Sequence, residues 1–427
     1  MGLFQVIAIL VTLAALCSFV NHRFIHLHTT IGVMLISLVL SLLLIVLGRF
    51  GLGIETLVRN LLEQVHFNEA LLQWMLGFLL FAGAMHVDVA ELSKQSGVVA
   101  TLATVGTAAS MFIVGGLAWV VLRWVGLPMP ILPCVLFGAL ISPTDPVAVV
   151  AIMKVSGAPR SIETKLAGES LFNDGIGVVL FLTLLGISQG NHPAGFGAVV
   201  WLLLRQVAGG ALVGFVAGAI VYQLLKRVDQ YQVEVLLTLA LAMGGYALAE
   251  ALHASAPIAA VVSGMLIGNS GRSFAMSAGT RAHLDMFWEL IDESLNAVLF
   301  LMLGLVVLTL HFGHRHWIAM LLMIPAVLFA RWCSVAGTVR VFSSRRSFSR
   351  GTIPILTWGG LRGGLSVAMA LSLPDSPWRG TILAITYGVV IFSIAIQGTT
   401  IKGLVRRCLA GSVVEKMTND EIRMTNQ

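Results

Sequence analysis

The chain has 427 residues, 57% of them hydrophobic and only 11% charged, with a formal net charge of +6. A mean hydropathy of +0.93 excludes an ordinary soluble domain, in which about 25% of residues are charged. The positive balance does not mark a nucleic-acid binder, because the basic residues stand at the ends of apolar segments rather than along one stripe.

At about 20 residues per crossing, the length allows roughly a dozen membrane helices. Thirteen apolar segments are predicted to span: 3–20, 31–49, 70–86, 97–123, 131–153, 166–188, 198–225, 233–252, 256–270, 290–311, 317–342, 354–373 and 380–405. The first has no Lys or Arg before it and reads as a retained helix rather than a signal peptide. No polar block is long enough to form a soluble module. Cys17, Cys134, Cys333 and Cys408 stand apart, as small buried apolar residues rather than a disulfide framework.

Charge sets the orientation. Of the 26 Lys and Arg residues, 18 fall in loops after odd-numbered segments or in the C-terminal tail, and five in loops after even-numbered ones. Arg205, Arg331 and Arg362 lie inside segments. The positive-inside bias puts the odd loops and the C-terminus in the cytoplasm and the N-terminus outside. The chain is thus expected to be a multi-pass protein of the cell (inner) membrane.

An odd number of spans lets two halves enter the bilayer from opposite sides. The expected organisation is a single transporter domain. Its first repeat is 1–188 (spans 1–6), its linker helix lies in 189–232, its second repeat is 233–409 (spans 8–13), and a short tail follows at 410–427. Spans 5 and 12 then occupy matching positions, and both are interrupted. Span 5 carries SPTDP (142–146) and span 12 carries GGLRGG (359–364). Interrupted helices at matching positions of inverted halves point to a transporter's midplane site.

The chemistry concentrates in 131–188. Proline lacks a backbone N–H, so Pro146 frees the carbonyl of Ser142, and Pro143 that of Ala139. Lipid cannot satisfy them; such backbone survives at membrane depth only inside protein or along a wet cavity. Asp145 stands between the prolines, beside Thr144. Span 6 carries ESLFNDG (169–175), whose Glu169, Ser170, Asn173 and Asp174 fall within about 140° of one helical face. Intramembrane carboxylates mark function by default. Carboxylates, hydroxyls, an amide and freed carbonyls are hard oxygen ligands suited to a small hard cation.

Asp174 is the candidate carrier, exchanging a proton for a cation at the same oxygens. Thr144, Asp145, Ser170 and Asn173 are candidate contributors to the ion and proton site, with Asp174, Thr144 and Ser170 the expected ligands of the cation. Glu169 and Arg362 are expected to pair, with Asp145 the second candidate for the arginine, fixing span 6 against span 12. Asn296 reads as a helix–helix hydrogen bond. Asp285, Glu289, Asp292 and Glu293 form either an acidic funnel or a solvated helix start. Histidines crowd the end of span 1 (His22, His26, His28) and another loop (His311, His314, His316), without carboxylate or cysteine support for a metal; His253 is a possible pH-sensing group.

Taken together, GALISPTDPVAVVAI (138–152), GESLFNDGIGVVLF (168–181), APIAAVVSGMLIGN (256–269), FWELIDESLNAVLFLMLGL (287–305) and WGGLRGGLSVAMALSLP (358–374) resemble the NhaP-type sodium/proton antiporters. That group is the electroneutral branch of the monovalent cation:proton antiporters. The resemblance implies an all-α fold of about thirteen transmembrane helices, an inverted repeat with unwound crossing helices, and a homodimer. It assigns Asp174 as ion and proton carrier, Thr144 to coordination, Asp145 to the helix crossing, Ser170 to the ion's vicinity and a pair to Glu169 and Arg362. The electrogenic branch has two aspartates where this chain has Asn173-Asp174, which implies one proton per cation. The implied partners are small monovalent cations and the lipid bilayer, with no nucleic acid and no cofactor besides the transported Na⁺ and H⁺. K⁺/H⁺ exchange and a passive cation channel remain alternatives. An aspartyl hydrolase built on Asp145 and Asp174 would want G-x-G-D, and the chain reads Phe172-Asn173-Asp174-Gly175.

Overall fold

The computed structural model describes residues 3–27, 29–48, 75–156, 159–190, 195–271, 276–306, 313–344, 348 and 351–408. The expected tail at 410–427, the end of span 2, the start of span 3, the last residues of span 10, and His28 and His311 lie outside them.

Among the described residues the chain is nearly all helical. The first helices are α1 (Leu3–Val20), α2 (Thr29–Gly48), α3 (Leu76–Met85) and α4 (Val89–Thr101). A π-helical turn, Leu102–Gly106, joins α4 to α5 (Thr107–Val125). Span 5 is two half-helices, α6 (Ile131–Ile141) and α7 (Val147–Ser156), and α8 (Arg160–Ser188) follows. Then come α9 (Phe196–Leu225), α10 (Tyr231–Ala251), α11 (Ala256–Leu266), α12 (Ala278–Val306) and α13 (His314–Phe342). Span 12 is also split, into α14 (Thr352–Trp358) and α15 (Gly364–Leu371). The last helix, α16 (Arg379–Phe392), continues through a π-turn at Ser393–Gln397 and on to Cys408.

Seven helical runs are long and apolar enough to cross a membrane by length and composition. Each predicted segment overlaps described helix. Span 10 differs in extent: α12 begins at Ala278, with no acidic residue in its first turn. The acidic residues 285–293 therefore lie inside a long helix rather than at its start, and the helix-start reading of them fails.

Local chemistry sets several boundaries. Asp88 caps α4, its Oδ1 accepting from the N–H groups of Ala90 and Glu91 at 2.9 and 3.1 Å. Ser255 caps α11, with Pro257 in the first turn, where its missing N–H costs nothing. Gly126, at φ +79°, closes α5 in the left-handed conformation that glycine tolerates.

The helices sort into two packed groups. One contains α1, α2, α3, α9, α10, α11 and α12; the other contains α4, α5, α6, α8, α13 and α16, with α14 and α15. The seam is formed mainly by α8 against α9 and α11, and by α15 against α12. Small residues set the spacing inside each group, since lipid gives no hydrophobic drive for helices to associate. In α6, a Cβ added at Gly138 would stand 2.1 Å from the carbonyl oxygen of Met111 in α5. Between α2 and α12, Ser41 Oγ donates to the carbonyl of Gly304 at 2.7 Å.

This packing predicts that Gly138→Val loses most of the monodisperse protein recovered by gel filtration in detergent. Gly116→Ala, where no atom lies within 4 Å of the added Cβ, should elute as wild type. Equal behaviour of the two variants would contradict the backbone-to-backbone contact.

Candidate functional site

The two interrupted helices cross in the middle of the second group. Ser142–Pro146 and Gly359–Gly363 are unwound, and they meet in an isolated antiparallel bridge between Asp145 and Leu361. The Asp145 N–H donates to the Leu361 carbonyl at 2.8 Å. Glycines permit the approach. A Cβ added at Gly363 would stand 2.4 Å from Asp145 Oδ2, one at Gly177 of α8 would be 2.2 Å from Pro143 Cγ, and one at Gly360 would be 2.6 Å from Arg331 Nε. The glycine density of GGLRGG is thus a requirement of contact.

Arg362 answers the prolines. Its guanidinium Nη1 donates to the carbonyl of Ser142, the one freed by Pro146, and to that of Pro143 at 2.9 Å. Its backbone N–H donates to Ser393 Oγ of the last helix at 2.8 Å. The Ser142 carbonyl, expected from sequence to be open to a cation, is occupied by an arginine.

The expected Glu169–Arg362 pair is corrected. Glu169, fully buried, makes a two-point pair with Arg331 of α13: Nη1 to Oε1, and Nη2 to Oε2 at 2.9 Å. Arg331 also donates from Nε and Nη2 to the Leu356 carbonyl of α14 at 3.3 and 3.1 Å. The physical reason is the division of donors. Arg362 sits in unwound backbone, where carbonyls lack their helical partners and claim its N–H groups. Arg331 sits on a regular helix and presents its planar fork to the carboxylate. Arg331 was noted from the sequence only as a charge inside span 11. Its signal was available: an arginine in hydrocarbon needs a carboxylate or water, and Glu169 is an intramembrane carboxylate.

Around the crossing, Thr144, Ser170 and Asn173 form one buried cluster. Thr144 Oγ1 and Ser170 Oγ are 2.8 Å apart and share a hydrogen bond. The Asn173 amide grips Thr144 twice, donating from Nδ2 to Oγ1 at 2.9 Å and accepting the Thr144 N–H on Oδ1 at 3.2 Å. Asn173 therefore fixes the unwound segment onto α8. Asp174 follows on α8, half-buried, and the charges acting on it are the Asp145 carboxylate and the Arg362 guanidinium. The structure thus brings Thr144, Asp145, Ser170, Asn173, Asp174 and Arg362 together at one place and ties Glu169 to its edge through Arg331. His253, in the left-handed conformation at φ 53° after α10, belongs to a different part of the fold.

Removing one partner of the Glu169–Arg331 pair should cost about 3–5 kcal/mol, because the other charge is left buried and alone. Glu169→Gln and Arg331→Met are each expected to lower the thermal unfolding midpoint of the detergent-solubilised protein by several degrees. The double variant should recover part of the loss, and additive losses would contradict the pairing.

Residues 7–407 match the model of the family "Sodium/hydrogen exchanger, transmembrane". The chain is 47% identical over 417 residues to the Na⁺/H⁺ antiporter NhaP of Pseudomonas aeruginosa, covering 96% of this chain and 98% of the relative. It is 36% identical to the Na⁺/H⁺ antiporter NhaH of Halobacillus dabanensis, over 87% of this chain and 91% of the relative. The solved structure of the sodium proton antiporter MjNhaP1 from Methanocaldococcus jannaschii at pH 8 matches the fold with a TM-score of 0.75, at 19% identity, over 96% of this chain and all of that one. The matched family, two relatives above 30% identity over most of their length and a shared all-helical fold lead to one conclusion: this chain belongs to the sodium/hydrogen exchanger family.

Proposed function

We propose that the protein is a secondary active antiporter of the cell membrane that exchanges Na⁺ for H⁺ electroneutrally, with Asp174 binding cation and proton in turn. The observation that carries this reading is the position of Asp174. It stands next to the buried Thr144–Ser170–Asn173 cluster at the crossing of two broken helices, where hydroxyl oxygens and a carboxylate are within one site.

Charge favours one-for-one exchange. With Asp145 and Asp174 ionised, Arg362 offsets one of them, and the crossing keeps one negative charge. One monovalent cation neutralises it, and so does one proton. The two ligands exclude each other because they use the same oxygen atoms, and mutual exclusion at an alternately exposed site is sufficient for antiport. Asn173, an amide already engaged with Thr144, adds no second titratable group on α8. The second packed group, held together by Arg362 and the Glu169–Arg331 pair, would then move as a body against the first. This reading keeps the inverted-repeat organisation, the homodimer and the outside N-terminus as parts of the same proposal.

Purified protein in sealed vesicles with a trapped pH dye tests it. With the interior acidic, external Na⁺ should raise internal pH at a rate indifferent to a K⁺/valinomycin clamp, and Asp174→Asn should reduce that rate to background. Voltage-dependent exchange would overturn electroneutrality. A response to K⁺ with none to Na⁺ would make the protein a K⁺/H⁺ exchanger. Cation flux without proton movement would make it a channel.

A further inference from the structure

The last helix does more than cover the crossing. Its π-turn, Ser393–Gln397, is of a kind that is rare in helices and frequent at functional sites. Ser393 and Gln397 are both buried, and they grip the two sides of the break in span 12. Before the break, the carbonyl of Trp358, the last residue of α14, has no helical partner ahead of it. It accepts from Gln397 Nε2 at 3.0 Å. Within the break, the Arg362 N–H donates to Ser393 Oγ at 2.8 Å. Further along the helix, Thr400 Oγ1 accepts from the Trp358 indole Nε1 at 2.9 Å, a hold on the ring and not on the backbone.

On the side of α13, Arg362 borders a small cavity that it shares with Arg331, Gly360, Phe392 and Gln397. Atoms that line a cavity lack contacts on that side, so packing alone does not fix the guanidinium. Charge pulls it both ways: Arg331 repels it, while Glu169 and Asp174 attract it. Its hold on the Ser142 and Pro143 carbonyls therefore depends on where its own backbone stands.

We propose that Ser393 and Gln397 are positioning residues of the exchange. Through the backbone of Gly359–Gly363 they keep Arg362 on the Ser142 and Pro143 carbonyls, and so keep the crossing from holding its cation too tightly to release it. The proposal rests on the antiport reading. In place, Arg362 offsets one carboxylate and occupies two carbonyl oxygens. Displaced towards the cavity, it would leave the crossing more negative and those oxygens open, and both changes favour a bound monovalent cation. Tighter binding is expressed mostly as slower dissociation, so affinity would rise while turnover falls.

The test is exchange by the purified protein in sealed vesicles, followed over a range of Na⁺ concentrations. Ser393→Ala should lower both the half-saturating Na⁺ concentration and the maximal rate about fivefold, the scale on which one buried hydrogen bond acts. Gln397→Met, which loses only the bond to the Trp358 carbonyl, should move both in the same direction. Ser393→Thr keeps the hydroxyl and should return towards wild type, and Thr400→Val, which frees only the indole, should match wild type. A half-saturating concentration that is unchanged or raised in Ser393→Ala and Gln397→Met, whatever the maximal rate, would make the two residues merely structural and overturn the proposal. The Ser393→Ala pattern appearing in Thr400→Val would overturn it too. Should Ser393→Ala give no monodisperse protein on gel filtration, Gln397→Met decides alone. Wild-type vesicles with no exchange would overturn the antiport reading, and this proposal with it.

Discussion

The fold depends on how one guanidinium satisfies backbone oxygens that the break at Ser142–Pro146 leaves without helical partners. A carbonyl without a partner at membrane depth costs several kcal/mol, and two lie side by side at Ser142 and Pro143. Arg362 binds both from the opposite broken helix. Its own N–H is taken by Ser393, and the Asp145 N–H is taken by Leu361. The crossing is therefore a joint closed by hydrogen bonds from both strands of unwound chain. Under the proposed exchange, these bonds would keep those backbone groups from the ion and leave side-chain oxygens to meet it.

The second buried charge pair has a different task. Glu169 and Arg331 neutralise each other, and Arg331 also holds the end of α14 through Leu356. Three helical elements, α8, α13 and α14, are fastened by one arginine. With that pair satisfied internally, the charges left at the crossing are those of Asp145, Asp174 and Arg362, the ones that the proposed exchange would use. Glu169 and the proposed carrier Asp174 sit on neighbouring turns of α8, and it is Glu169 that forms the two-point pair with Arg331.

Much of this was legible in the sequence. The breaks at 142–146 and 359–363 follow from proline chemistry and glycine density, and the grouping of Ser170, Asn173 and Asp174 follows from helical spacing. The pairing of charges was not legible, because two arginines and two acidic candidates allow more than one assignment. Only the demand of the freed carbonyls, a three-dimensional fact, decides between them. The place of the acidic residues 285–293 was misread for a different reason. Hydropathy marks where a helix becomes apolar, and α12 begins twelve residues before that point, at Ala278. The clamp of Asn173 on Thr144 needed the unwound segment to lie on α8, which spacing along a single helix does not reveal.

The central claim is that cation and proton displace each other at Asp174. Calorimetric titration of Na⁺ into the purified protein, in two buffers of different ionisation heat at a pH where the site is protonated, measures it without transport. The account predicts that close to one proton is released for each cation bound, and that Asp174→Asn loses this release. Cation binding with a heat independent of the buffer, or proton release that survives in Asp174→Asn, would contradict it.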